Sequence, residues 1–341
     1  MKNQDELIID GEKIAKGSRK RIEMKIAELY DHTDITMQVE IIRGNEDGPT
    51  MFISAAIHGD EINGVETISR LLNRKKLLSS IKGNLLIVPI VNVFGFNRNV
   101  RYLPDRRDLN RCFPGSNRGS LAAKIAHKFT TEIVDKSDYG IDLHTASIHR
   151  YNLPQIRAYL DNEEVKELAK SFGVPVIINS NFRDGSLRQT ALERGVKTLL
   201  FEGGEANRYD EAVIRSAEQG VIAVLSSLNM LDKKQVKIKP LRAKEIYYAK
   251  ASHWIRAPKS GSLRIRKNIG NKVDKGEVIG VISDPFGEKK EYIRAKREGV
   301  IIGITKIPLV NSGDALFHIA TFTDDPMMIE NEVMRYDQEL H

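Results

Sequence analysis

Cysteine is almost absent from this sequence, because Cys112 is the single one among 341 residues. An intramolecular disulfide is therefore excluded, and so are iron–sulfur clusters and zinc sites built from thiolates. Any metal site has to use His, Asp and Glu side chains as its ligands.

Long hydrophobic runs are also lacking. The longest, residues 85–91, contains Pro89 and falls far short of the ~18 apolar residues that a membrane-spanning helix needs. Near the start, residues 7–9 form one short apolar stretch flanked by acidic residues, which is unlike a signal peptide. We therefore expect a cytoplasmic protein with no membrane partner.

Aromatic residues are few, at 6% of the chain, whereas basic residues are in excess. The 53 Lys and Arg outnumber the 46 Asp and Glu, which gives a net charge of +7 and a pI of about 9.2. Such a charge attracts anions. Because the basic residues form no stripe interleaved with aromatics, we expect no nucleic-acid partner and favour a small acidic ligand.

The first two thirds of the sequence alternate between two patterns. Short apolar runs have the length of buried strands at residues 51–57, 85–91, 139–143, 174–178 and 198–201. Amphipathic stretches have helical periodicity at residues 61–78, 121–134, 163–172 and 209–228. Residues 11–30 are also interpreted as a polar helix, with isoleucines along one stripe. The alternation predicts an α/β domain with a mostly parallel sheet, whose ligands bind at the carboxyl ends of the strands.

The pattern changes after residue 231, where a basic connector leads to short strand-like runs that repeat at an offset of 38 residues. Ile255-Arg256-Ala257 recurs as Ile293-Arg294-Ala295, and Gly261 recurs as Gly299. The repeat predicts a small β domain built from two interlocked halves. We therefore divide the chain into a catalytic domain (1–240), a β domain (241–325) and a C-terminal tail (326–341).

The repeated region resembles the barrel-sandwich module of biotinyl and lipoyl carrier domains. Those carriers attach their cofactor to a lysine in the turn between the two halves, and the corresponding turn here contains Lys289 and Lys290. Two adjacent lysines are common in a solvated turn. We therefore expect neither lipoate nor biotin on this chain.

Two histidines follow predicted strands. His58-Gly59-Asp60-Glu61 stands directly after the run 51–57, and Asp142-Leu143-His144 ends the run 139–143. Because both strands end at the same edge of a parallel sheet, His58, Glu61 and His144 can converge on one metal ion and leave a position open for water. Asp142 is placed to orient the imidazole of His144. Read alone, each motif also fits an ordinary polar turn or a buried histidine.

Two further segments supply charged side chains near that edge. The loop 101–115 is rich in Arg, Asn and Pro, and its guanidinium groups suit a substrate carboxylate or a carbonyl oxygen that gains charge. Glu202 ends the run 198–201 and is the first candidate for a general base, with Glu205 as the second. A solvated basic loop and a solvated acidic turn are the alternatives for these segments.

Four motifs in register resemble the succinylglutamate desuccinylase and aspartoacylase family, which has the zinc carboxypeptidase fold. In chain order they are His58-Gly59-Asp60-Glu61, Asp108-Leu109-Asn110-Arg111 with Phe113-Pro114-Gly115, Asp142-Leu143-His144 and Phe201-Glu202-Gly203-Gly204. The resemblance runs from about residue 40 to residue 322, because the repeated β region is similar to the C-terminal domain of the bacterial predicted deacylases in this family.

The resemblance implies a role for each matching residue. One zinc ion per chain would be bound by His58, Glu61 and His144, with Glu202 as the general base. Asn110 and Arg111 match the pair that binds a substrate carboxylate, and Arg101 matches the arginine that polarises the scissile carbonyl. Arg188 falls where the family has a further substrate-binding arginine. The tyrosine that the C-terminal domain supplies in aspartoacylase has Tyr247 and Tyr248 as nearby candidates.

These roles predict a zinc-dependent enzyme that hydrolyses the amide bond of a small, acidic N-acyl amino acid. A carboxypeptidase or an esterase on the same fold is the first alternative. A non-catalytic protein that binds anions is the second. The sequence leaves open whether the chain forms a homo-oligomer.

Overall fold

The structure is a computed structural model that describes residues 6–180, 184–232 and 241–341. Within these ranges the strands are β1 (Leu7–Ile9), β2 (Glu12–Ile14), β3 (Arg19–Glu28), β4 (Asp34–Arg43), β5 (Thr50–Ala55), β6 (Asn84–Val88), β7 (Tyr139–Ala146), β8 (Arg150–Ala158), β9 (Val176–Asn179), β10 (Lys197–Glu205), β11 (Tyr247–Ala249), β12 (Ala251–Arg256), β13 (Gly261–Ile265), β14 (Lys272–Val273), β15 (Val278–Ser283), β16 (Lys290–Arg294), β17 (Gly299–Thr305), β18 (Leu309–Val310) and β19 (Ala315–Thr321). The helices are α1 (Asn63–Asn73), α2 (Lys75–Leu78), α3 (Val93–Asn97), α4 (Leu121–Glu132), α5 (Glu163–Phe172), α6 (Leu187–Glu193), α7 (Glu211–Ser227) and α8 (Pro326–Leu340). No helix in the described ranges is long and apolar enough to cross a lipid bilayer.

One large mixed sheet organises the molecule, in the order β12-β19-β17-β8-β10-β7-β5-β6-β4-β3. Its centre, β6-β5-β7-β10, is parallel, and antiparallel strands extend it on both sides. Helices α1, α5 and α7 pack on one face and α4 and α6 on the other, each face with its own apolar core. The predicted α/β class, with a large mixed sheet flanked by helices, is confirmed.

Local sequence explains why the helices begin and end where they do. Helix α5 begins after Asn162, whose side chain accepts a hydrogen bond from the backbone N–H of Val165 at 3.1 Å. It ends at Gly173, whose φ of +86° lies in the left-handed region that favours glycine. Its buried side chains are spaced three and four residues apart, so one face packs against the sheet. The prediction for residues 163–172 agrees with this helix.

The interpretation of residues 11–30 as a helix is wrong. The segment contains β2 and β3, and β3 pairs with β4 in an antiparallel ladder. Ile22 and Met24 are buried whereas Arg21, Glu23 and Lys25 are exposed, which is the two-residue alternation of a strand with one face on the core. The isoleucine spacing fits a helical stripe, but it also fits the two-residue alternation of a strand. The helical period is the wrong one for this segment.

The internal repeat corresponds to repeated structure. Strands β12 to β15 form the first copy, and β16 to β19 form the second in the same order. Strand β13 pairs with β15 and β18, just as β17 pairs with β19 and β14, so each half contributes strands to the other half's sheet. The sheet β16-β15-β13-β18 is antiparallel and separate from the large sheet. Two interlocked halves therefore do occur, and the barrel-sandwich assignment stays a prediction.

The C-terminal region is joined to the rest of the molecule through the large sheet. Strand β17 pairs with β8, with Gly303 opposite Asn152. Helix α8, in the segment predicted as a tail, packs back on α7, where the hydroxyls of Tyr336 and Ser216 lie 2.8 Å apart. Residues that follow the repeat are thus part of the apolar core beneath α7.

Substitutions in β3 distinguish the strand from the helix. We expect Met24→Ala to lower the free energy of unfolding by about 2–5 kcal/mol, because Met24 is fully buried. The neighbouring exposed change, Glu23→Ala, should alter it by less than about 0.5 kcal/mol. Urea denaturation of both variants measures the difference, and equal effects would contradict the alternation seen in β3.

Candidate active site

Three neighbouring strands deliver the candidate residues to one edge of the sheet. His58 follows the end of β5, His144 lies near the end of β7, and Glu202 lies in β10. The strands are parallel, and Glu202 is directly opposite His144 in their register. The carboxyl ends of parallel strands are where α/β sheets bind ligands, so the sheet itself brings these side chains together.

The turn that carries His58 and Glu61 depends on a close approach of two backbone segments. A Cβ atom at Gly59 would lie 2.0 Å from the carbonyl carbon of Gly95 in α3. Only glycine fits there, and the backbone N–H of Glu61 then donates to the carbonyl oxygen of His58 at 3.1 Å. Both side chains are directed inward and are almost completely buried.

Glu61 lies between the two histidines. Its Oε1 is 2.6 Å from Nδ1 of His58, and its Oε2 is 2.8 Å from Nδ1 of His144. The backbone N–H of Thr145 also donates to Oε2, at 3.1 Å. One ligand atom from each of His58, Glu61 and His144 lies within 4.8 Å of the others, and all three residues are buried.

A carboxylate holds the far side of each imidazole. Nε2 of His58 is 3.1 Å from Asp108, and Nε2 of His144 is 2.7 Å from Asp142. Asp142 is held in turn by the hydroxyl of Ser54, which donates to it at 2.8 Å. A carboxylate only accepts hydrogen bonds, so Asp108 and Asp142 favour a proton on each Nε2. In a neutral ring this leaves Nδ1, which faces Glu61, with its lone pair free for a cation.

This arrangement requires positive charge. If each ring carries one proton, on Nε2, then each Nδ1 and the Glu61 oxygen beside it are both hydrogen-bond acceptors, and no proton lies between them. Such a contact is unfavourable in a buried site unless a positive charge is added. Burial alone lowers the pKa of His144, but Asp142 and Glu61 more than offset it and hold that pKa well above its usual range. The pKa of His58 is raised in the same way by Glu61 and Asp108, against the effect of burial. Two imidazole nitrogens and a carboxylate form a donor set that a divalent metal ion fits.

The acidic partners respond in the opposite direction. Burial raises the pKa of Glu61, but His58 and His144 outweigh burial and hold that pKa below its usual range. The pKa of Asp108 is also low, because His58 and Arg101 outweigh the effect of burial. Glu61 and Asp108 therefore stay ionised, as a ligand and the partner of a ligand must.

The predicted arginine of the 101–115 loop reaches this group. Arg101 donates to Asp108 at 2.9 Å and to Glu61 at 3.3 Å. Asp108 also accepts from the backbone N–H of Asn110 at 2.9 Å, which fixes the loop beside the histidines. The guanidinium of Arg101 is therefore adjacent to the candidate metal ligands.

A cavity of about 890 Å³ opens over this edge of the sheet. All eight predicted site residues line it: His58, Glu61, Arg101, Asn110, Arg111, His144, Arg188 and Glu202. Asn110 is fixed by the backbone N–H of Leu187, which donates to its Oδ1 at 2.9 Å. Arg188 is buried and donates to the carbonyl and hydroxyl oxygens of Ser180, each at 3.0 Å.

The two candidate bases differ in position. Glu202 lines the cavity, and its side chain is contacted by Asn152 and Arg157 of β8. Glu205 accepts a hydrogen bond from the backbone N–H of His149 at 3.0 Å and is not among the described residues that line the cavity. The geometry thus favours Glu202 as the group that faces a ligand.

Sequence reasoning missed a second set of cavity residues. They come from β8 and from the C-terminal region: Arg150, Asn152, Arg157, Lys250, Trp254 and His318. Trp254 and His318 stack with ring centroids 4.6 Å apart, and the guanidinium carbon of Arg150 lies 5.5 Å from the Trp254 ring centroid. The tyrosines proposed for this side, Tyr247 and Tyr248, are not among the described lining residues. Strand β8 is not among the predicted strands, and it contains Pro154, a residue type that is disfavoured inside strands.

Comparisons with known proteins identify a family that this chain resembles over most of its length. Residues 47–228 match the model of the succinylglutamate desuccinylase/aspartoacylase catalytic domain. The N-alpha-acetyl-L-2,4-diaminobutyric acid deacetylase of Halomonas elongata is 30% identical over 302 residues, which cover 84% of this chain and 86% of that protein.

Solved structures share the fold over most of their length. A succinylglutamate desuccinylase/aspartoacylase from Rhodobacter sphaeroides has a TM-score of 0.78 at 22% identity, covering 89% of this chain and 95% of its own. The product-bound ectoine utilization protein EutE (DoeB) from Ruegeria pomeroyi has a TM-score of 0.79 at 22% identity, with the same coverage. The match of more than half the chain to the family model and the 30% identical relative lead to one conclusion: this chain belongs to the succinylglutamate desuccinylase/aspartoacylase family.

Proposed function

We propose that this protein is a zinc-dependent hydrolase that removes the acyl group from a small, carboxylated N-acyl amino acid. The observation that carries the proposal is the buried His58–Glu61–His144 group, which shares one cavity with Glu202. The family match supports an amide deacylase, since its members are named for desuccinylation and for the removal of acyl groups. The relative from Halomonas elongata is named as a deacetylase.

Zinc suits the donor set of His58, Glu61 and His144. When bound there, it would supply Lewis-acid polarisation of the scissile carbonyl and would lower the pKa of water toward ~7. The chain prepares this site by fixing the tautomers of both rings through Asp108 and Asp142. A zinc ion held by the three residues would take the place of the direct contacts between Glu61 and the two Nδ1 atoms.

Glu202 is the proton carrier in this proposal. It takes a proton from the attacking water at a carboxylate oxygen and delivers it to the nitrogen of the leaving amine. Arg101 stabilises the negative charge that develops on the carbonyl oxygen, because its guanidinium lies beside the metal ligands. Neither step needs a covalent intermediate with the protein.

The charge of the cavity suits an acidic substrate. Of the described residues that line it, six are Lys or Arg and three are carboxylates: Arg101, Arg111, Arg150, Arg157, Arg188 and Lys250 against Glu61, Asp108 and Glu202. Glu61 and Asp108 are engaged with the histidines and Arg101, so positive charge remains in excess. We assign Asn110 and Arg111 to the substrate carboxylate, with Arg188 as a further contact.

An ester or a C-terminal peptide bond could be hydrolysed in the same way, because an activated water attacks the carbonyl group of an N-acyl amide, an ester or a peptide. A protein that only binds anions is the alternative from another class. It would bind acidic compounds in a salt-dependent way and would leave them intact.

The base is tested by Glu202→Gln, which retains the shape of the side chain and removes the proton acceptor. We expect kcat to fall about 10²–10⁴-fold while zinc content stays unchanged. Hydrolysis of N-α-acetyl-L-2,4-diaminobutyric acid, N-succinyl-L-glutamate and the matching O-acyl esters is followed by release of the free product. Glu205→Gln is the matched control on the same strand.

A wild-type rate in Glu202→Gln would show that the base is wrong, and a wild-type protein that hydrolyses none of the compounds would contradict the deacylase.

The substrate carboxylate is tested at Arg111. We expect Arg111→Gln to raise KM by about 10–100-fold with a smaller change in kcat, because a charged hydrogen bond to the bound carboxylate is lost. Arg118→Gln, at an exposed arginine in the same loop region, is the control. The assignment fails if the two variants have the same KM.

The metal site is tested at the carboxylate behind His144. We expect Asp142→Asn to weaken zinc binding by about 10–100-fold, because the amide no longer fixes the imidazole tautomer. Competition with a zinc chelator measures the affinity, and the exposed change Asp324→Asn should leave it unaltered. An unaltered affinity in Asp142→Asn would contradict the role given to this contact.

A further inference from the structure

Strand β8 holds both oxygens of the Glu202 carboxylate. The side-chain amide of Asn152 donates to Oε2, and Nε of Arg157 forms an ion pair with Oε1 at 3.2 Å. The side chains of Glu202 and Arg157 are 18% and 17% exposed, and Asn152 is buried. Strand β10 lies between β7, which carries His144, and β8. The candidate base is therefore held from the β8 side, by residues outside the four family motifs.

Asn152 has a glycine as its neighbour in each adjacent strand, and one of them, Gly303, leaves the space that its side chain occupies. Its cross-strand neighbours are Gly204 in β10 and Gly303 in β17. A Cβ atom at Gly303 would lie 2.7 Å from Oδ1 of Asn152, which is closer than two such atoms can come. The register of β8 and β10 shifts between Glu202 and Gly204, and this irregularity brings Asn152 alongside Glu202.

We propose that Asn152 and Arg157 are positioning residues for Glu202, and that Gly303 gives the C-terminal region a part in the same task. The proposal rests on Glu202 being the base. Its basis is a continuous line of contacts from β17 through Asn152 of β8 to Glu202 of β10. A region that follows the catalytic residues in sequence thus helps to set the position of the reacting carboxylate.

The physical reason is the flexibility of a glutamate side chain. Glu202 has three rotatable bonds, and a displacement of about 1 Å in a reacting group can cost about 100-fold in rate. The amide that donates to Oε2 and the guanidinium beside Oε1 limit rotation of the carboxylate, and lone pairs remain for the proton of water. The contacts therefore act on the rate of proton transfer and leave substrate binding nearly unchanged.

A double-mutant cycle separates positioning from a structural role. Asn152→Leu retains the approximate size of the side chain and removes the donor. On the compound of the panel above that the wild type hydrolyses fastest, we expect kcat to fall about 10-fold with KM unchanged. In the Glu202→Gln background the same change should have no further effect, because the group it positions is gone. An equal loss in both backgrounds would overturn the proposal.

The contribution of β17 is tested by Gly303→Ala. The added methyl group pushes on Asn152, so kcat should fall as in Asn152→Leu while zinc content is retained. Gly280→Ala is the matched control, since its Cβ would lie 3.3 Å from Leu263 and Phe317 in the C-terminal region, away from the cavity. Thermal unfolding of both variants corrects for lost stability. Equal values of kcat in the two variants would show that Gly303 has no such role.

Arg157 is tested by a graded pair of substitutions. Arg157→Lys keeps a cation near Glu202 and should retain more of kcat than Arg157→Met. Equal loss in the two would overturn the role of the charge.

A crystal structure of Asn152→Leu provides a readout that needs no substrate. We expect the Glu202 carboxylate to leave its position opposite His144, and an unmoved carboxylate would overturn the proposal even if no substrate were found. Failure of the proposed function is recognised separately, by an unaltered rate in Glu202→Gln. Full loss in Glu202→Gln together with a normal rate in Asn152→Leu would reject only the positioning roles.

Discussion

The buried carboxylate of Glu61 is the interaction on which the site depends. It is almost fully removed from water, and it faces a ring nitrogen of His58 and another of His144. An ionised carboxylate in such a place is costly unless positive charge compensates it. Protonated rings or a bound cation can provide that charge, and the carboxylates behind both rings favour either one. The buried Glu61 carboxylate therefore needs positive charge beside it, from protonated imidazoles or from a metal ion.

The sheet keeps the two histidines and Glu202 close together, at the ends of adjacent strands. Strands β5, β7 and β10 fix the positions of the two histidines and Glu202, and apolar cores on both faces fix the strands. The C-terminal halves exchange strands with each other and join the same sheet through β17 and β8. The cavity is thereby lined from both parts of the chain, and its excess of positive charge matches the basic composition of the whole sequence.

Much of this site could be predicted from sequence because its residues directly follow continuous apolar runs. His58, His144 and Glu202 stand at the ends of such runs, and the carboxyl ends of parallel strands meet at one edge of the sheet. Their order in the sequence therefore already predicts that the three side chains lie close together. Asn152 and Arg157 could not be found in this way, since their contact with Glu202 depends on the register and irregularity of β8 against β10. Strand β8 itself lies outside the apolar runs on which the strand predictions depend. The helix prediction for residues 11–30 is wrong because the isoleucine spacing fits two periods, and only the ladder with β4 decides between them.

In the proposed site, the Nδ1 atoms of His58 and His144 and the carboxylate of Glu61 bind one zinc ion. Anomalous diffraction at the zinc absorption edge, from crystals grown with zinc, tests it most directly. We expect one strong peak per chain within about 2.2 Å of Nδ1 of His58, Nδ1 of His144 and a carboxylate oxygen of Glu61. A zinc-loaded crystal without a peak there, or with a peak on the Nε2 side of either ring, would contradict it.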